Sequence, residues 1–274
     1  LRAATGTLMG GSSLLKKASL VGAFFVSVFC LTSAQAFCPE PGQLPSFSVQ
    51  RIVDGDTLRL HDGRSVRLIG LNSPELGRDG RSAEPFAEAA RRRLSELVAA
   101  NDGRVGLQLG REPKDHYGRT LAHAYDGKGR NLEAQLLAEG LGYLVAIAPN
   151  VALVECQQAA ERLARQSRIG LWRRSPVQTP GQLSRGGFAL IEGRVERVER
   201  NRGGVWLELG GGLVLRVPPQ AQDGFDIGWL HSLTGHQVAV RGWVVDRSRR
   251  AGVKPGQARW MLPVTHESML EVLP

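Results

Sequence analysis

The chain has 274 residues, 42% of them hydrophobic and 22% charged, with a formal net charge of +9. That length and apolar content exclude a disordered or collagen-like chain and leave room for one or two domains of ~100–200 residues each. The excess of basic residues points to an anionic partner, nucleic acid or an anionic membrane surface, but 30 of the 35 cations are Arg, as coding bias alone would give.

The N-terminal segment carries the marks of an export signal. Lys16 and Lys17 form a positive start, residues 20–31 an apolar run, and Ala34-Gln35-Ala36 a small-x-small cleavage site. The reading expects translation from Met9, cleavage before Phe37 and a periplasmic or extracellular protein. The competing outcome is a retained anchor, since residues 18–36 are barely long enough to span a bilayer. Phe37 before Cys38 argues against a lipoprotein site, which wants a small residue there. Cleavage removes Cys30 and leaves Cys38 and Cys156, which either bridge in an oxidising compartment or stay as two thiols. Nothing like CxxC with paired His occurs, so no zinc site is implied.

A Pro-containing tail over 37–47 leads into strand-like alternation at 47–51, 57–61 and 65–71, with Asp62-Gly63 turning the second into the third. Ala83-Glu84-Pro85 opens a helical run through Ala100, with Phe86, Ala90, Leu94 and Leu97 at helical spacing. Strands follow at 105–109 and 120–125, then helices at 132–139, stopped by Gly140, and at 154–168, before Gly170-Leu171-Trp172. Five strands with interleaved helices suit a mainly β, α+β fold, a small closed barrel of the OB type. The stretch 175–187 reads as a linker. Beyond it, strand patterns at 188–199, 205–209, 213–217, 237–245 and 259–264, with a short helix at 227–233, suit a second, smaller OB-like barrel of unassigned role.

The chemistry is concentrated in three short runs: Val53-Asp54-Gly55-Asp56-Thr57-Leu58, Arg67-Leu68-Ile69-Gly70-Leu71-Asn72-Ser73-Pro74-Glu75, and Asp115-His116-Tyr117-Gly118-Arg119. Asp56, Asn72, Glu75, Arg67 and Arg119 are the residue types that metal-assisted attack on a phosphodiester requires. They offer oxygen ligands for a hard cation, a base for water and guanidinium groups for the phosphate. Taken singly each has a plain reading: Asp54 and Asp62 before Gly are turn formers, Glu75 after Pro74 a loop acid, Arg67 one surface arginine among many.

As an ordered set with Ile169-Gly170-Leu171-Trp172, these motifs make residues 48–174 resemble the staphylococcal nuclease (thermonuclease) family. The resemblance implies a calcium-dependent, sugar-unspecific phosphodiesterase on an OB-fold barrel that leaves 3′-phosphates on DNA or RNA. It assigns Asp56, Asn72 and the Ser73 carbonyl to the cation, Glu75 to general base, and Arg67 and Arg119 to the phosphate. His116 and Tyr117 fall where the family contacts substrate. It further implies a monomer with nucleic acid as substrate and no stable membrane association after signal cleavage.

Two departures stand out. Asn72 is neutral where the family most often has aspartate, which predicts a higher calcium requirement or relaxed metal choice. Residues 143–149 are mostly apolar where the staphylococcal enzyme has base-contacting tyrosines, and Tyr143 is left as either core or stacking platform. In the second block, Trp206, Trp229, Trp243 and Trp260 beside Arg194, Arg197, Arg200 and Arg202 serve either as core and solvated face or as a base-stacking surface. The rival class is a non-catalytic nucleic-acid or protein-interaction module on the same fold. The retained Asp56, Arg67, Glu75 and Arg119 speak against it, and Asn72 in its favour.

Overall fold

A computed structural model describes residues 37–77, 80, 82–248 and 257–274. The export segment expected over 1–36 lies outside the described residues. Among the described residues, no helix is long and apolar enough to cross a membrane.

Strand β1 (Ser46–Ile52) pairs antiparallel with β2 (Thr57–Leu60), and β2 with β3 (Ser65–Leu68). β3 runs parallel to β6 (Thr120–Tyr125), β6 pairs with β5 (Arg104–Lys114), and β5 returns to β1 to close a five-stranded barrel. Period-two alternation aims Leu58, Leu60, Val66, Leu68, Val105 and Leu107 into the barrel core, where all are buried. Helix α1 (Ala87–Ala99) covers that core with the stripe Ala90, Leu94, Leu97 and Val98. Helix α2 (Leu132–Ala138) starts at Asn131, whose side chain accepts the Ala134 N–H at 2.9 Å. Helix α3 (Val154–Ser167) follows, and Cys156 in its first turn is disulfide-bonded to Cys38, which closes the question left open between a bridge and two thiols.

Three elements depart most from their expected bounds, the others by no more than two residues at an end. The strand expected to run unbroken over 65–71 stops at Leu68, because Gly70 takes φ +86 and turns the chain; Leu71–Asn72 then form β4, paired with β7 (Tyr143–Leu144) in a separate two-stranded ribbon. α1 begins at Ala87 rather than at 83, since Pro85 disfavours helical backbone at Glu84 and Phe86 adopts a left-handed φ of 69°. β5 continues to Lys114 through exposed Arg111, Glu112 and Lys114, which carry no alternation to mark them as strand.

The later residues form a second ring with the same order. β9 (Gly187–Asn201) pairs with β10 (Gly204–Leu209), and β10 with β11 (Leu213–Val217). β11 is parallel to β13 (Trp260–Pro263), β13 pairs with β12 (Gln237–Asp246), and β12 returns to β9. The single parallel pair falls at the same place in both rings, as the OB topology requires. Helix α4 (Ile227–Ser232) precedes β12, and β14 (Leu270–Val272) adds to its edge. Within 175–187, a two-residue strand β8 (Val177–Gln178) pairs in parallel with Leu190–Ile191 of β9. The buried apolar cluster is continuous across both rings. Trp260 is buried and Trp243 is 39% exposed, while Trp206 and Trp229 are half-buried. Tyr143 meets Trp172 edge-on at 5.4 Å and stacks on Phe188 at 5.5 Å, so it serves as packing.

Candidate active site

The sharp β1–β2 connection puts Asp54 and Asp56 on either side of Gly55. A Cβ on Gly55 would stand 2.6 Å from Cβ of Ala90 and 2.7 Å from that of Ser73, so only glycine lets this turn sit against α1 and the Ser73 loop. Asp54 does form a turn, its Oδ1 accepting the Asp56 N–H at 3.1 Å. Its electrostatic position was not readable from sequence: burial, then the charge of Asp56, push its carboxyl up to about 7.

Asp56 is buried and joins three strands' worth of chain. Its Oδ2 accepts the Ser73 N–H at 2.7 Å and stands 3.0 Å from Nη1 of Arg67, while Oδ1 accepts from the Thr57 hydroxyl at 3.0 Å. Arg67 reaches further, donating to the carbonyls of Leu68 (3.1 Å) and Leu71 (2.7 Å) and to Oδ1 of Asn72 (3.3 Å). Asp56, Arg67, Asn72 and Ser73, which the family resemblance places in one site, are thus one hydrogen-bonded group.

Glu75 lies two residues on, exposed, and its backbone is clasped at both ends by Glu84. The Glu75 N–H donates to the Glu84 carboxylate at 3.0 Å, and the Glu84 N–H donates to the Glu75 carbonyl at 2.9 Å. Sequence reading missed Glu84 because it sits in a different element, nine residues away. Arg119 immediately precedes Thr120, the register partner of Val66, which brings it alongside the strand that carries Arg67. Asp115 holds it: Nε donates to Oδ2 at 2.7 Å and the Arg119 N–H to Oδ1 at 2.9 Å. Burial pulls the Asp115 carboxyl upward, but the Arg119 hydrogen bonds outweigh it and the net shift is down. His116 and Tyr117 are exposed on the same turn, their rings 3.7 Å apart, with the Arg119 guanidinium 5.4 Å from the Tyr117 ring. At 74% exposure Tyr117 is not a core residue.

No three His, Cys, Asp or Glu side chains converge among the described residues. A cation here would therefore draw on Asp56 together with neutral oxygens. The donor set fits a hard cation: the Asp56 carboxylate and the Asn72 amide oxygen, oxygen donors of the kind such a cation takes, both come to the same positively charged guanidinium.

The family model described as staphylococcal nuclease homologue matches residues 65–174. The thermonuclease of Staphylococcus intermedius is 33% identical over 132 residues, which are 47% of this chain and 77% of that protein. The chain belongs to the staphylococcal nuclease family. Other relatives are endonuclease YncB of Bacillus subtilis, 30% identical over 143 residues (50% of this chain, 66% of that protein), and endonuclease Htp3 of Saprolegnia parasitica, 29% identical over 157 residues (49% and 72%). The staphylococcal nuclease match ends at residue 174, so the second ring is an addition outside the matched region.

Proposed function

We propose that the chain is an exported, calcium-dependent nuclease hydrolysing phosphodiester bonds of DNA, RNA or both. The observation that carries this is the convergence of Asp56, Arg67, Asn72 and Ser73 into one polar group, with Glu75 two residues further along the same loop. The relatives' names, thermonuclease and endonuclease, support it. The Cys38–Cys156 bridge supports export, since such bonds persist in oxidising compartments. The protein acts as a monomer with no stable membrane association.

In this reading Asp56, the Asn72 amide oxygen and the Ser73 carbonyl hold the cation. When bound, calcium supplies positive charge against the phosphate oxygens. Glu75 takes a proton from water as the water oxygen attacks phosphorus in line; the bond from phosphorus to the leaving sugar oxygen breaks, and that oxygen is protonated by solvent. Arg119, held through Nε by Asp115, offers its terminal nitrogens to two phosphate oxygens, and Arg67 holds the other side of the group. His116 and Tyr117 contact the substrate chain. Glu75→Gln is expected to lower kcat at least ~100-fold with nucleic-acid affinity nearly unchanged. A variant that cleaves at the parent rate removes Glu75 from this role.

A further inference from the structure

Contacts from the second ring reach the strand paired with the one that carries Asn72, and one of them is a buried chain of charge and hydrogen bonds. Arg241, on β12, inserts Nη1 between both oxygens of Glu161, at 2.7 Å from each. The Glu161 side chain is 1% exposed and that of Arg241 12%. Glu161 belongs to α3 of the nuclease barrel, and its Oε1 also accepts the Leu144 N–H at 2.8 Å. Leu144 is half of β7, the register partner of β4: Leu71 faces Leu144 and Asn72 faces Tyr143. The same segment is also held from the second ring by Phe188 stacked on Tyr143, by Sδ of Met269 accepting the Ala146 N–H at 3.2 Å and by the Thr265 hydroxyl donating to the Ala146 carbonyl at 3.4 Å.

We propose that Arg241 is a positioning residue for the cation site, acting through Glu161 and β7 to fix the strand that presents Asn72 and Ser73; the second ring is thereby a working part of the nuclease. This rests on the metal-assisted reading above. The physical reason is the state of Glu161. A carboxylate buried to this degree is held in place by its paired charge and its N–H donors together. Without Arg241 it is left as an uncompensated charge and withdraws from Leu144 toward water or takes up a proton. Either change loosens β7, and β4 has its ladder partner in β7. Neutral, half-buried contacts such as Phe188 on Tyr143 contribute adhesion, whereas the Arg241–Glu161–Leu144 line ends on one backbone N–H and so sets a register.

The test titrates the full-length protein with terbium(III), a hard oxygen-seeking ion, by calorimetry, and measures calcium-supported cleavage beside it. Arg241→Met is expected to weaken terbium binding about 10-fold, the low end of what supporting partners of metal ligands contribute, and to lower kcat more than it raises KM. The double variant Glu161→Gln/Arg241→Met is expected to recover most of the loss, because a glutamine oxygen still accepts the Leu144 N–H without a charge to bury. Leu230→Ala, which loosens the second ring's core at a fully buried position, is the control and leaves terbium affinity at the parent value.

Arg241→Met with parent affinity and kcat overturns the proposal, as does a Leu230→Ala loss equal to that of Arg241→Met. Should Arg241→Met not fold, Arg241→Lys decides: a shorter cation that no longer spans both Glu161 oxygens is expected to weaken terbium binding, and parent affinity contradicts the link. A parent protein that cleaves nucleic acid but binds no terbium overturns the metal-assisted reading together with the proposal. A parent that binds terbium normally while Arg241→Met does the same overturns the proposal alone.

Discussion

Asp54 and Asp56 stand one glycine apart, and burial first, then the charge of Asp56, raises the Asp54 carboxyl from an ordinary 3.8 to about 7. The sign follows from proton counting. Between pH 3.8 and about 7 the folded, metal-free protein holds a proton that the unfolded chain has lost, so this group's contribution to stability falls as pH rises through that window. Urea unfolding of the metal-free protein at pH 5.5 and pH 8 is expected to show a loss of stability at the higher pH that Asp54→Asn shrinks. Equal losses in both proteins contradict the assignment. At Asn72 the expected change runs through the cation: Asn72→Asp restores a negative ligand and lowers the calcium concentration needed for half-maximal cleavage. An unaltered calcium requirement means that Asn72 is not a ligand. The Asp54 effect is not visible from the residue type alone, because Asp-Gly reads first as a turn, and Asp54 is both turn and half-buried acid.

Among elements, α1 bears on the site at two places, its entry at Glu84 and its face at Ala90. Glu84→Ala removes the acceptor for the Glu75 N–H and frees one end of the Glu75 backbone. It is expected to lower kcat by about 10-fold with KM little changed, since a misplaced base loses reactivity before it loses binding. A pure KM effect in steady-state kinetics places Glu84 in substrate binding instead. Gly55→Ala drives a methyl into Ala90 and Ser73 and is expected to destabilise by about 1–3 kcal/mol, read from the urea midpoint.

Most elements were legible from short apolar runs bounded by turn residues: 120–125 and 213–217, buried along nearly their whole length, match their expected bounds residue for residue. What sequence concealed are contacts between elements. The β4–β7 ribbon consists of two residues on each side and has no period to detect, and its existence depends on Gly70 turning the chain. The Glu75–Glu84 clasp joins a loop to a helix entry. The site's ordered acids and arginines were readable as motifs; the engagement of Arg67 with Asp56, Asn72 and two carbonyls required the fold.

In the whole molecule, two rings of one topology share a continuous core, and a disulfide ties the N-terminal tail to α3 across 118 residues. Reducing that bond releases a long loop in the unfolded chain and is expected to lower stability by about 2–5 kcal/mol. Thermal unfolding with and without reductant measures it, and an unmoved midpoint means that the tail adds nothing to the folded state. The central claim, that this molecule cleaves phosphodiester bonds with the help of a hard cation, is tested most directly by release of acid-soluble nucleotides from DNA and RNA. The mature full-length protein should be assayed in calcium, in excess chelator and after calcium is restored. The account predicts release in calcium, loss of release in chelator and recovery on restoration. Release that persists undiminished in chelator, or none in any concentration of calcium, contradicts it.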